Sequence, residues 1–418
     1  MNIKIQARVK QIAFLFSAVY FASYVMRINF AVMLVKVCAD LALQKTDLAI
    51  VITGLTVTYG AGQVISGLLG DRLNPRHMLT AGLSLAILSN VAMFFFASPI
   101  PMTAVWCVNG FGHALLWPPI VRMMSTTLND SEYSYAAIRV SWGSSGATVL
   151  LYLVCPLLLT VTSWRFIMLL CALLGTVVLG FWIALNPKLL SHDFSQRTHK
   201  SEEKAEIPNR MPLPKFVYVP IVFIALGIVL QGILRDGVTN WMPSYLAETF
   251  SIPAENAIVS TVILAIFSMI SFMAFDLLHR KVFRNEVFCS AVIFGGSAVC
   301  AVLLYFVNTL FSSLLGNSVV LVSSMLLMAL IVGAMHGINL MLITVVPKRF
   351  VKTGKVSTYS GLLNACTYIG AALSSYGFAA IAESFGWNTT ILTWIFVSLA
   401  GLAVCLGATL LWERFKRI

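Results

Sequence analysis

Apolar residues run along this chain in long, nearly unbroken stretches separated by short polar clusters. Windows of about twenty residues pick out membrane-length runs. Twelve emerge, near 11–35, 48–70, 77–97, 101–124, 136–160, 164–185, 217–246, 257–278, 286–307, 317–346, 357–381 and 388–411. A helix rises about 1.5 Å per residue, so each run reaches across a hydrocarbon core of about 30 Å. The strands of a membrane barrel alternate in polarity and are about ten residues long. These runs do neither, and they predict an all-α membrane protein of twelve transmembrane helices. The longest polar stretch, 186–215, carries Pro187, Pro208, Pro212 and Pro214 with Lys188, Arg197, Lys200, Lys204, Arg210 and Lys215. It reads as a cytoplasmic linker over 187–215 between two six-helix halves, 1–186 and 216–418. That outline is shared by secondary transporters built from parallel repeats.

Composition strengthens the membrane assignment. Of 418 residues, 59% are hydrophobic and 11% charged, against about 25% charged in a soluble domain. Too few polar groups are available to cover a water-facing surface, which excludes an ordinary soluble enzyme, a disordered chain and a secreted disulfide scaffold. The eight cysteines form no C-x-x-C pair and nearly all lie inside apolar runs. They read as packing residues, and no metal or other cofactor is expected.

The net charge of +12 is spread in short clusters between apolar runs, without a basic stripe interleaved with aromatics. Nucleic acid is therefore not an expected partner, and the lipid bilayer is. With the N-terminus inside, 21 Lys and Arg fall in cytoplasmic segments. Only Lys36, Lys45 and Arg165 fall outside. This bias puts both termini in the cytoplasm. Lys4, Arg8 and Lys10 precede the run from Gln11 to Val35, which is too long for a signal-peptide core, so it is expected to remain as the first span. Short loops and modest length point to a prokaryotic inner membrane, with a monomer as the default.

Two basic residues fall where hydropathy forbids them. Between Lys10 and Lys36 the only charge is Arg27, and between Lys215 and Glu248 the only charges are Arg235 and Asp236. An arginine at the centre of a membrane helix costs about 2.5–3.5 kcal/mol even on lenient scales, so it normally faces a protein cavity and has a partner. The two occupy the first helix of each half. Asp236 neutralises at most one, and a bound anion would supply the missing charge, because a guanidinium fork matches phosphate or carboxylate. The other reading gives each arginine to helix carbonyls, or Arg235 to Asp236, with no ligand.

Helical spacing supplies neighbours. Tyr20, Tyr24 and Arg27 share a face, as do Tyr59 and Gln63, and Gln231 and Arg235. His113 follows Asn109 by four residues, Asn339 follows His336 by three, and Tyr368 follows Asn364 by four. These donors suit a cavity that binds oxyanions, and each equally suits an interhelical bond. The two histidines could also carry protons near neutral pH.

The stretch from Gly67 to Arg76, GLLGDRLNPR, resembles the signature loop between spans 2 and 3 of the major facilitator superfamily, G-x-L-x-D-R-x-G-R-R/K. Gly67 allows close helix approach, Asp71 can cap or pair across the halves, and Arg72 and Arg76 hold the inner leaflet. Asp276, with Arg280 and Lys281, stands 205 residues further on, while Arg235 follows Arg27 by 208. The near agreement supports a degenerate internal repeat. Tyr24–Ala31 (YVMRINFA), Leu234–Leu246 (LRDGVTNWMPSYL), and Trp117-Pro118-Pro119 with Arg122 resemble spans 1, 7 and 4 of the organophosphate:phosphate antiporter family. That family includes bacterial glycerol-3-phosphate and hexose-phosphate transporters. The similarity runs through Pro347-Lys348-Arg349 and the Tyr368–Gly370 region.

The resemblance implies the major facilitator fold and alternating access, with Arg27 and Arg235 gripping a phosphoryl group. The chain departs from that pattern at Gln63 and Gly143, where such relatives carry Lys and His, and at Glu132-Tyr133 in place of Glu-Arg. Losing two basic groups fits a less highly charged anion. The expected function is exchange of a small organic anion, a phosphorylated metabolite, for inorganic phosphate. A proton-coupled carrier of another organic anion or drug would use Asp236, His113 or His336 as its proton site. A receptor would bind an organophosphate without moving it. An enzyme is not expected, because no nucleophile–base constellation, metal cluster or phosphate-cradling loop is present.

Overall fold

A computed structural model describes residues 6–202, 213–252, 259–310 and 316–416. No strand occurs among them. The chain divides into two compact units. Unit 1 is Met1–Pro212 with Pro347–Leu362, and unit 2 is Leu213–Val346 with Leu363–Ile418.

Unit 1 contains α1 (Ala7–Leu41), α2 (Lys45–Gly70), α3 (Pro75–Met93), α4 (Pro99–Ala114), α5 (Trp117–Thr127), α6 (Asp130–Leu159) and α7 (Trp164–Glu202). Local chemistry sets several starts. Asn74 accepts the Arg76 N–H at 3.0 Å ahead of Pro75. Asn129 and Glu132 bond each other's backbone N–H groups at 3.0 and 3.1 Å, a reciprocal box that satisfies two orphan donors at the start of α6. Trp106, Trp164, Trp182, Phe16 and Phe30 are fully buried, while Phe14, Leu88, Leu157 and Phe181 are exposed. Large apolar side chains on the outer surface need lipid rather than water.

Unit 2 contains α8 (Tyr218–Phe250), α9 (Val262–Lys281), α10 (Glu286–Thr309), α11 (Asn317–Asn339) and most of α12 (Val356–Lys416). Gly386 sits at φ 79° and divides α12 into two helical stretches, a conformation glycine adopts without steric cost. Asn285 caps α10 through the N–H groups of Val287 and Phe288, at 3.0 and 3.1 Å. The buried Glu286 carboxylate binds Lys416 Nζ at 3.2 Å and Trp412 Nε1 at 3.3 Å, which staples the end of α12 to the start of α10.

Several predicted boundaries need correction. The span expected at 101–124 is two helices, because Pro118 and Pro119 lie in the first turn of α5 and offer no N–H to the carbonyls of Ala114 and Leu115. The span at 317–346 changes to a wider π turn over Leu340–Val345, directly before Val346 and Pro347. The stretch assigned to linker from 187 is helical to Glu202, with Pro187 inside α7. There Arg8 bonds the Leu189 carbonyl at 2.9 Å, and Arg76 bonds that of Leu190 at 2.7 Å. The rest of the linker, 203–212, lies outside the described residues. Nine segments among the described residues are long and apolar enough to cross a membrane. Helices at 75–93, at 99–127 and in the first part of α12 fall short of that standard, being short, broken, or rich in Ser, Thr and Gly.

Candidate functional site

In unit 1, α1 presents Arg27 from the middle of its span. Its guanidinium lies 4.0 Å from the ring centre of Tyr24 and 4.6 Å from that of Tyr59. Aromatic rings at this distance attract the cation, and its N–H donors, which lie in the guanidinium plane, stay able to bond an oxyanion. Tyr24 in turn packs on Tyr20, with ring centres 5.2 Å apart, and Tyr20 packs on Trp117 at 5.1 Å. His113 is buried in α4 within electrostatic reach of Arg27. Gln63 Oε1 and Asn109 Oδ1 are buried with no protein hydrogen-bond partner, and the buried His113 ring faces the Met26 backbone. Gln63 Nε2 is 3.5 Å from the Ala114 carbonyl, the group that Pro118 leaves without a helical donor. The structure places Tyr24, Arg27, Tyr59, Gln63 and His113 in one region of unit 1.

In unit 2, Asp236 grips Arg235 with both oxygens, at 2.8 Å to Nε and 2.9 Å to Nη2. This is the pairing that the ligand-free reading of Arg235 required. The side chains are 17% and 24% exposed, so the fork is accessible at its edge. His336 lies within electrostatic reach of Arg235 and Asp236. Its Nδ1 is 2.9 Å from the Val332 carbonyl and 3.1 Å from Ser268 Oγ. A carbonyl only accepts, so Nδ1 carries a proton. Gln231 Nε2 donates to the Met335 carbonyl at 3.1 Å, tying α8 to α11 one residue before His336. Asn364 is buried and Tyr368 half-buried, one turn apart on α12.

The signature loop belongs to unit 1 with the start of α12. The Asp71 carboxylate accepts the N–H groups of Ser357 and Thr358, each at 2.8 Å, and so caps that helix. Gly67 meets Gly361 backbone to backbone, and a Cβ on Gly361 would fall on the Gln63 carbonyl. Arg122 bonds the carbonyls of Gly70 and Leu73, and Lys348 reaches Asp130 at 2.6 Å. Arg72 is exposed. Arg76, expected to hold the inner leaflet, is spent on the α7 carbonyl. The buried Asp276 pairs with Arg280 one turn on.

Sequence reasoning missed a buried amide network beside Arg27. Asn29 Nδ2 donates to Asn90 Oδ1 at 2.7 Å, and Asn90 and Asn109 both donate to the Met26 carbonyl, at 3.0 and 3.1 Å. The available signal was weak: single asparagines in three apolar runs.

Long apolar helices whose rare interior charges include Arg27 and the Arg235–Asp236 pair mark the chain as a helical membrane protein. It belongs to the Major Facilitator Superfamily, whose sequence pattern matches residues 16–375. A glycerol-3-phosphate transporter of Bacillus subtilis (strain 168) is 25% identical over 421 residues, 95% of this chain and 91% of its own. A probable hexose phosphate transport protein of Chlamydia trachomatis is 21% identical, over 88% of this chain and 84% of its own. The membrane sensor protein UhpC of Salmonella typhimurium is 23% identical over 257 residues, 57% of each chain. Among solved structures, the proton:xylose symporter XylE superposes with a TM-score of 0.70 at 14% identity, covering 96% of this chain and 94% of that one. This last likeness shows the shared fold.

Proposed function

We propose that the protein exchanges a small phosphorylated metabolite for inorganic phosphate by alternating access. The observation that carries the reading is Arg27, set in a membrane span with its guanidinium against the rings of Tyr24 and Tyr59. A guanidinium so braced directs its in-plane donors at an oxyanion, where bidentate, charge-assisted bonds are strong. Full-length relatives named for glycerol-3-phosphate and hexose phosphate transport support the same chemistry. Arg235 is the second anion ligand, and Asp236 holds its fork until the anion takes over. Tyr24, Tyr59, Gln63 and His113 on unit 1, and Gln231, His336, Asn364 and Tyr368 on unit 2, bond the rest of the substrate. Gln63 and Gly143 supply no positive charge where relatives carry one, which fits an anion of lower charge.

Return without cargo would leave both arginines without their anion, and this favours obligatory exchange. Gly67, Asp71, Arg72, Arg76 and Asp276 serve the conformational change rather than binding. The halves 1–186 and 216–418 are the two repeats. The protein works as a monomer in a prokaryotic inner membrane, with both termini in the cytoplasm.

The test is radiolabelled phosphate uptake into proteoliposomes preloaded with phosphate, then with a panel of organophosphates. Exchange in the wild type that Arg27→Lys and Arg235→Lys each abolish supports the reading. Lysine keeps the charge and loses the fork. Folded protein that catalyses no exchange rejects phosphate as counter-ion, and uptake driven by a pH gradient would then select proton coupling. A second reading draws on the sensor relative: organophosphate binding without flux would make the protein a receptor.

A further inference from the structure

The amide network around Met26 has a geometry that bears on Arg27. Asn90 Nδ2 donates both to Met26 O, at 3.0 Å, and to Ala86 O, at 2.9 Å, while its Oδ1 accepts from Asn29 at 2.7 Å. Because carbonyls only accept, these partners fix which way the amide is turned. Asn109 Nδ2 makes the second bond to Met26 O, at 3.1 Å. Asn29 Oδ1 accepts the Phe30 N–H at 2.8 Å, the donor that a regular helix directs at the Met26 carbonyl. All three asparagines are fully buried. One carbonyl of α1 thereby receives an amide from α3 and another from α4, with the His113 ring of α4 beside it.

Turning or sliding α1 at Met26 would strand two amide groups and a carbonyl in an apolar interior, where each unsatisfied group is costly. Arg27 is the next residue. A helix advances about 100° per residue, so the azimuth fixed at Met26 is inherited by Arg27 within a few degrees. We propose that Asn90 and Asn109 are positioning residues for the transported anion: clamped on the Met26 carbonyl, they set the rotation and depth of α1 so that the Arg27 guanidinium rests on Tyr24 and Tyr59 in its oxyanion-gripping orientation. The proposal rests on the reading of Arg27 as an anion ligand. The asparagines touch no substrate and act through the helix that carries the ligand.

The test compares Asn90→Ala, Asn109→Ala and the near-isosteric Asn109→Leu with Asn308→Ala. Asn308 is a matched amide in unit 2 that accepts from Tyr245 Oη at 2.7 Å and donates to the Leu304 carbonyl at 2.8 Å. Radiolabelled phosphate affinity and thermal midpoint are measured on each purified protein. All four variants lower the midpoint. The clamp variants are expected to weaken phosphate binding by about tenfold, the equivalent of roughly 1.4 kcal/mol, while Asn308→Ala leaves it within about twofold. Unchanged affinity in the clamp variants, or equal weakening in Asn308→Ala, overturns the proposal. Asn109→Leu keeps the volume if the alanine variants do not fold. If the wild type binds no phosphate, the anion-ligand reading has failed, and electron cryo-microscopy of Asn109→Leu then judges the clamp. A guanidinium displaced from Tyr24 and Tyr59 upholds it, and one that has not moved overturns it.

Discussion

Arg27 and Arg235 are held by different chemistry: two tyrosine faces brace Arg27, and a carboxylate fork holds Arg235. The difference sets opposite expectations for their neighbours. Tyr59→Phe keeps the aromatic face and should leave the phosphate KM within about twofold, whereas Tyr59→Leu removes a contact worth about 0.5–2 kcal/mol and should raise it by roughly 2- to 30-fold. Equal KM values for the two variants would show that the ring face does nothing. Asp236→Asn removes the charge that competes with the anion for Arg235. The expected outcome is a KM lowered by a few fold together with a lower thermal midpoint, since one partner of a half-buried ion pair is lost. A KM raised about tenfold would instead mean that the carboxylate orients the arginine for binding.

At the level of helices, stability is concentrated at ends and breaks. Glu286→Ala removes the buried partner of Lys416 but leaves it the Glu413 carboxylate at 3.7 Å and the Arg284 carbonyl at 2.7 Å, so the cost falls below the about 3–5 kcal/mol of an uncompensated buried charge. Thermal unfolding in detergent should show a clear drop, while phosphate affinity at the remote arginines stays unchanged. Gly361→Val would drive a side chain into the Gln63 carbonyl, and overpacking of this kind costs about 1–3 kcal/mol. It should lower both the midpoint and exchange. The helices themselves were legible because long apolar runs admit little else, and Arg27 and Arg235 stood out because nothing charged surrounds them in sequence. The break after Ala114 was less legible, although Pro118 and Pro119 announce it, because the run stays apolar through the break. The π turn over Leu340–Val345 leaves no trace in hydropathy. The helix through Pro187 was missed because charge marks where a span stops, not where a helix stops. The asparagine clamp was illegible for a different reason: its bonds join residues 61, 64 and 83 positions apart, and no periodicity within one helix encodes that.

On the scale of the whole molecule, the basic residues that sequence assigns to the cytoplasm carry a topological expectation. A fluorescent-protein fusion to the C-terminus should fluoresce, and an alkaline phosphatase fusion there should be inactive; active phosphatase would reverse the orientation. The partition of the chain has a consequence for any division of it. Residues 347–362, far along the second half of the sequence, are built into unit 1, where Asp71 receives the backbone of Ser357 and Thr358. A chain cut at its central segment would therefore not yield two self-sufficient bodies. The first piece would end at the central segment with its signature loop lacking the helix start that it caps, and the second would carry sixteen residues belonging to the other. Each change within 347–362 is therefore felt in the packing of unit 1, although most of the residues around it in sequence belong to unit 2.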